Sequence, residues 1–366
     1  MAGEFEKEYN SEQSSAQTVY SKCSNCGSNM VFDPATQCLK CEHCGQITDF
    51  EKSNLVKEIE IEEAFRKAEN WDDEADSYRC ENCGAVVILP RGEIATVCPY
   101  CATSHILKSE EIIGLKPNVV YPFIIDKEQG VERAKSWAKK QIFAPRKFKK
   151  SLTVNNVRSM YEPCFTFDSS TFSTYHGRVG NRRTRTVGSG KNRRTETYIV
   201  WRYISGTYSH NFDDVMINAG TTYSQKTLNN LLPFNYDTIK VYNKDYLTGY
   251  VARRYEKPIE EAWGEAKDNM DAKIKSSIIA REYCDVVDYV NVTTTHSAVT
   301  YKYALLPIHL LHFRYRKKDY AVCVNGNTGK STGKTPISAI RVAIAVALGL
   351  AAVIGLGYLF FKYFYL

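Results

Sequence analysis

A repeated cysteine spacing constrains this chain more than any other feature. Cys23-x2-Cys26 is followed after 14 residues by Cys41-x2-Cys44, and Cys80-x2-Cys83 after 14 residues by Cys98-x2-Cys101; adding 57 to each member of the first set gives the second. Two Cys-x-x-Cys knuckles at this separation bring four thiolates around one tetrahedral ion, one knuckle from each of two short hairpins. The repeat also separates ligands from bystanders: Cys38 maps onto Ala95 and His43 onto Tyr100, and neither is needed for four-coordination. Gly27 and Gly84 follow the first knuckle of each set and permit the positive φ that such turns use. Two four-cysteine zinc ribbons are expected, each closed and therefore structural, with rubredoxin-like iron as the alternative metal. Units this small depend on the ion to fold.

Of the 12 cysteines, eight fall in these pairs, a pattern of metal ligation in a reducing compartment and not of a disulfide framework. Cys164, Cys284 and Cys323 read as small core residues. The net charge of +7 hides an asymmetry: through residue 120 there are 21 acidic and 11 basic residues, a balance of −10 that leaves +17 on the remainder. Glu58, Glu60, Glu62, Glu63 and Asp72 to Asp76 make the segment between the ribbons strongly acidic, which weighs against DNA binding there, because nucleic acid is held by neutralising its phosphates.

Val342 to Phe361 is a run of 20 residues without a charge, bounded by Arg341 and Lys362. As a helix it spans about 30 Å, the thickness of a bilayer core. Only Lys362 to Leu366 follow it, which reads as a tail anchor. Lys330, Lys334 and Arg341 precede the run, so the positive-inside bias keeps the N-terminal bulk cytoplasmic, on a single-pass protein of the cell membrane. Ala343, Ala347, Ala351 and Gly355 recur every fourth residue, a small-residue stripe suited to homo- or hetero-association of membrane helices, or simply an alanine-rich span.

Between ribbons and anchor the pattern is α+β, with antiparallel strands. Lys127 to Phe143 and Pro258 to Tyr283 have helical periodicity. Tyr161 to His176 and Glu196 to His210 alternate like strands, as do Val286 to Thr294 and Ala298 to Arg316; Asn325-Gly326 marks a hairpin turn. A glycine- and arginine-rich loop carrying Arg178, Arg182, Arg183, Arg185, Lys191, Arg193 and Arg194 joins the first two strands. Such a flexible basic tip suits anionic lipid, an acidic protein or nucleic acid, or is a merely solvated loop. The expected organisation is a disordered N-terminus (1–17), ribbon 1 (18–50), an acidic helical linker (51–76), ribbon 2 (77–108), an α+β domain (116–335) with basic hairpin (177–195), and a transmembrane helix (342–361).

No catalytic constellation emerges. The segment Thr328 to Thr335 mimics a phosphate-binding loop, yet Val324 and Thr328 stand where its first glycine is required. His309 and His312, three apart on a strand, point to opposite faces. The residues indicate no enzyme.

The paired ribbons, Val120-Tyr-Pro-Phe123, Tyr161-Glu-Pro163 with Tyr175-His-Gly177, Leu306-Pro307, and Val324 to Lys330 before Pro336 together resemble a family of bacterial membrane-anchored TFIIB-type zinc-ribbon proteins. Its members are often labelled primosomal protein N′ or superfamily II helicase-like, a label that the missing nucleotide loop does not support here. The resemblance covers nearly the whole chain. It implies a non-enzymatic membrane adaptor or scaffold that occurs with SPFH/flotillin-like and phage-shock-like partners, holding two structural zinc ions.

Overall fold

The computed structural model describes residues 22–66, 69–70, 75–80, 86–90, 106–108, 113–154, 157–221, 223–315 and 318–365. In chain order, β1 (Met30–Asp33), β2 (Cys38–Cys41) and β3 (Ile47–Thr48) form a small antiparallel sheet. There follow β4 (Ile59–Glu60), α1 (Ile61–Arg66) and the short strands β5 (Glu69–Asn70), β6 (Ala75–Cys80), β7 (Val86–Pro90), β8 (Ile106–Lys108), β9 (Ile113–Gly114) and β10 (Val119–Val120). The next elements are α2 (Lys127–Lys140), α3 (Arg146–Ser151), β11 (Val157–Val187), β12 (Arg194–Asn218), α4 (Gln225–Leu231), β13 (Lys240–Val241) and β14 (Val251–Arg253). The chain closes with α5 (Ile259–Arg281), β15 (Val286–Tyr315), β16 (Lys318–Asn325), β17 (Ser331–Gly333) and α6 (Ala339–Tyr365).

Three long strands organise these elements. β11, of 31 residues, pairs antiparallel with β12 on one edge and with the 30-residue β15 on the other. Near Val157 the sheet is broad, because β14 joins β11 while β10, β16 and β4 join β15. Among the described residues, past Thr171 only the three long strands continue, and past Gly180, where β15 begins, only β11 and β12 remain. The result is a wide base and a long arm that narrows to a two-stranded ribbon.

Helices cover the base and one face of the arm. In α5, Ile259, Ala262, Ala266, Met270, Ile274 and Ile278 are buried, a stripe at helical spacing that lies on the long strands. Glu260 and Glu261 in its first turn and Arg281 in its last complement the helix dipole, and Tyr283 takes a left-handed φ of 47° just beyond its end. A second core joins α4, Tyr121 and Phe234 to Cys164, Ala304 and Leu306 on the opposite face of the sheet. A third joins α2 and α3 to Leu311, Val322 and Val324. α2 begins with a capping box between Asp126 and Gln129. Full burial of a side chain such as Phe165 or Phe167 contributes about 2–3 kcal/mol.

The mixed helix and sheet architecture agrees with the sequence reading; several details differ from it. The acidic linker is not a helix throughout: residues 51–58 lack regular structure, β4 pairs with Thr300 and Tyr301 of β15, and among the described residues of the linker helix is confined to the six of α1. The open edge of β15 supplies backbone partners that outweigh local helix preference. Val286 to Tyr315 is one strand and not two; Ala298, at φ 49°, absorbs the irregularity without breaking the pairing. The flexible basic loop is largely strand, since β11 runs to Val187 and β12 starts at Arg194. Gly177 and Gly180 there serve close approach, as a Cβ would lie 2.5 Å from the Tyr289 carbonyl oxygen and 2.4 Å from Ile199 Cγ2, respectively.

Candidate metal centre

The backbone builds the first cysteine set as two matching turns. The Gly27 N–H donates to the Cys23 carbonyl and the Gly45 N–H to the Cys41 carbonyl, with both glycines in the left-handed region at φ 72° and 76°. Each turn aims its cysteine pair at the other. Cys23 Sγ lies 3.6 Å from Cys44 Sγ and Cys26 Sγ 3.5 Å from Cys41 Sγ, and all four sulfurs fall within 4.8 Å of one another. Four thiolates about 2.3 Å from a common ion stand ~3.8 Å apart, so this set fits a tetrahedral metal. Its separations are far too long for disulfides.

The surroundings favour the thiolate at Cys26 and Cys44. The Ser28 hydroxyl and N–H hold Cys26 down to about 6, and the Gln46 N–H lowers Cys44. At Cys41 the N–H groups of Cys44 and His43 act downward, but burial and the adjoining thiols outweigh them and push it up to about 11. Cys38 and His43 stand outside the cluster; Cys38 Sγ donates instead to Asp49, 3.5 Å away.

This module is fused to the base. Cys23, Met30, Phe32, Leu39 and Cys41 belong to the same core as α5, Phe165 and Tyr303. Phe32 and Phe50 pack on Tyr246 at centroid distances of 5.4 and 4.9 Å, and the Phe32 N–H donates to the Thr248 carbonyl. Gln37 Nε2 donates to the Phe123 carbonyl across 2.8 Å. Of the second set, Cys80 ends β6, while Cys83, Cys98 and Cys101 lie outside the described residues, as does the N-terminal stretch 1–17.

The other sequence-selected residues lie at opposite ends of the molecule. Arg182, Arg183, Arg185, Arg193 and Arg194 sit at the tip of the arm, with Lys191 in its 3-10 turn, Gly190–Asn192. Arg185 and Arg194 share Glu196 at 3.2 and 2.9 Å, and the Arg182 N–H donates to Asp285. α6 starts at the base, where the Ser338 N–H donates to the Phe143 carbonyl and Arg341 Nη1 to the Ile142 carbonyl. Ala339–Phe360 is long and apolar enough to cross a membrane, and beyond its first turn residues 343–360 are all exposed. Ala343, Ala347, Ala351 and Gly355 are all exposed on it. From Val157 at the start of β11 in the base to Arg182 is about 80 Å of extended strand.

Nothing in the local pattern signals a charged cluster where the arm leaves the base. Asp168 interrupts the β11 register, and Asp214 adopts a left-handed φ of 51°. These irregularities gather carboxylates around Lys302, whose Nζ lies 3.0 Å from Asp168, 2.9 Å from Asp214 and 3.2 Å from Glu58. Burial acts to lower Lys302, but Asp214 and Asp168 more than offset it and hold the ammonium raised; burial together with Asp214 and Asp168 raises Asp213. Glu58 thereby ties the acidic linker to the sheet. His309 is likewise buried, accepting at Nδ1 from the Ser159 hydroxyl (2.7 Å) and donating from Nε2 to the Ile125 carbonyl (2.9 Å). Its burial lowers it to about 4, and His312 is exposed, as opposite faces of a strand require.

Fold and site define a mixed helix and sheet protein with a metal-competent four-cysteine cluster and one apolar C-terminal helix. The chain belongs to the same family as "Uncharacterized protein YdjG" of Bacillus subtilis (strain 168), with 32% identity over 327 residues, 88% of this chain and 91% of that one. No family model matches the chain, and no solved structure matches it.

Proposed function

We propose that this protein is a non-enzymatic, tail-anchored membrane adaptor in which two structural zinc ions order the N-terminal half and α6 fixes the base at the cytoplasmic face of the cell membrane. The observation that carries this reading is α6: an apolar helix exposed from residue 343 to 360 needs a solvent other than water. Cys23, Cys26, Cys41 and Cys44 would hold one zinc as a closed site, whose chemistry is to fix geometry and not to activate a substrate. Cys80, Cys83, Cys98 and Cys101 would hold the second. The partner class implied by the resemblance is an SPFH/flotillin-like membrane protein. The experiment is a crosslinked recovery from cells of the full chain against a chain stopped at Pro336, identifying both protein and nucleic acid. Flotillin-like proteins recovered only with the anchored form support the reading; an unanchored form that still fractionates with membranes and the same partners overturns it.

A second reading, a membrane-tethered nucleic-acid binder, is favoured by the exposed stacks on the arm. Arg178 lies over Trp201 at 4.9 Å and Arg185 over Tyr198 at 5.7 Å, a combination of cation and ring that single strands use. It requires salt-dependent oligonucleotide binding that is lost when Arg182, Arg183, Arg185, Arg193 and Arg194 are changed to Gln.

A further inference from the structure

The outer edge of β12 is the longest unprotected strand edge among the described residues. There β12 pairs only with β11, leaving its other edge open. Natural sheets guard such an edge with proline, lysine or a covering element. From Thr195 to Ser209 this edge carries no proline and no lysine, and Glu196 and Arg202 are its only charges. It is rich in the residues that strands prefer, and they are out in solvent: Tyr203 is 78% exposed, Val200 48% and Ile199 38%. Tipward of Trp201 the ribbon has also lost β15 on the far side of β11, and a two-stranded ribbon in water is marginal without a third strand.

The sequence of this edge complements itself. If two copies lie antiparallel about a two-fold axis through Ile199, Tyr198 faces Val200 of the other copy, Thr197 faces Trp201, Glu196 faces Arg202 and Thr195 faces Tyr203. Three pairs join a ring to a β-branched residue, one joins opposite charges, and the axis joins isoleucine to isoleucine, all favourable cross-strand combinations. A two-fold axis through Glu196 or Arg202 would set like charges face to face. The faces agree as well: Glu196, Tyr198, Val200 and Arg202 share the α5 side of β12, while Ile199, Trp201 and Tyr203 share the open side. In this register the turn of one copy reaches the level of Ser205 to His210 on the other, short of the bend at Asp213 and Asp214. In its own chain Glu196 already meets Arg185 and Arg194, and Arg202 meets Glu282, so both side chains are held near the edge.

We propose that two copies of this chain join edge to edge through β12, antiparallel about Ile199, making one continuous sheet of six long strands. The interface is isologous and closes on itself, so it gives a dimer and not a fibre. It is distinct from any association of α6 and does not depend on the adaptor reading.

The test uses the full chain in detergent micelles. Under mild oxidation Ile199→Cys, which lies on the axis, should form a covalent dimer at least about tenfold faster than Tyr203→Cys, whose mates stand about 27 Å apart along the strands in this register. Glu196→Arg should weaken the dimer in sedimentation about tenfold, and adding Arg202→Glu should restore it; this pair decides the matter if the cysteine variants misfold. A monomeric wild-type chain at micromolar concentration overturns the proposal. So does crosslinking at 203 equal to that at 199, which would mean association through α6 or a different edge register.

Discussion

Ten consecutive residues of β11, Met160 to Ser169, are buried on both faces, whereas Arg182 to Thr186 of the same strand are all exposed. Between them, Thr171, Ser173, Tyr175, Gly177 and Val179 are buried beneath α5 while Phe172, Thr174 and His176 face water. One hydrogen-bonded strand thus passes through three environments. Ladder pairing by itself confers no burial; the elements stacked on each face decide it, and they run out one after another toward the tip. The base has the four-cysteine module, α4 and α5 to share the cost of ordering, and among the described residues the arm past Arg182 has only its own two strands.

The largest effect should come from the metal ligands at the base. Cys23→Ser with Cys41→Ser should release about one metal equivalent per chain and remove the cooperative melting transition of the base, because metal binding of roughly 10 kcal/mol is comparable to a whole domain's stability. Elemental analysis alongside a thermal melt checks both; unchanged metal content would remove these sulfurs from the site. Next in size, Phe167→Ala should cost about 3–5 kcal/mol in urea unfolding, against at most about 0.5 for Phe172→Ala on the open face five residues later. Similar losses at both positions would erase the distinction between base and arm.

Acid should also act on the base. The folded pKa of His309, about 4, lies below the ordinary 6.5, so the unfolded chain takes up the proton first. Its contribution is complete above about pH 6.5 and is lost as pH falls toward 4, a change of roughly 3 kcal/mol. Urea midpoints between pH 7 and 4 should show this slope, and His309→Gln should flatten it. On the arm, Gly177→Ala pushes a methyl against the Tyr289 carbonyl and should cost about 1–3 kcal/mol, less than the core change at Phe167. Proteolysis confined to the ribbon beyond Gly177 would show that the arm opens without the base.

The first four-cysteine set was legible, including the exclusion of Cys38 and His43, because ligand spacing is a local property set by two short turns. α2, α5 and α6 were legible for a similar reason: each carries its periodicity in its own residues. The length of β11 and β15 was not, since Gly177, Gly180 and the arginines interrupt the apolar alternation of β11 and the polar Thr295, His296 and Ser297 that of β15, and only pairing with neighbouring strands keeps the backbone extended. Nor was the short α1, whose linker took β15 as a partner far away in sequence. The Lys302 cluster was hidden for the same reason: Glu58, Asp168, Asp214 and Lys302 are scattered along the chain, and each alone looks like a solvated charge.

By itself the sequence determined the metal-competent cysteines, the individual helices and the apolar C-terminal run, all features whose physics closes within about 25 residues. Tertiary structure alone decided that the first four-cysteine module shares the main core, that the basic tip stands at the far end of an arm from α6, and that β12 leaves an open edge. Those depend on which strand lies beside which, and strand order is fixed by burial across the whole sheet, not by any segment's own preference.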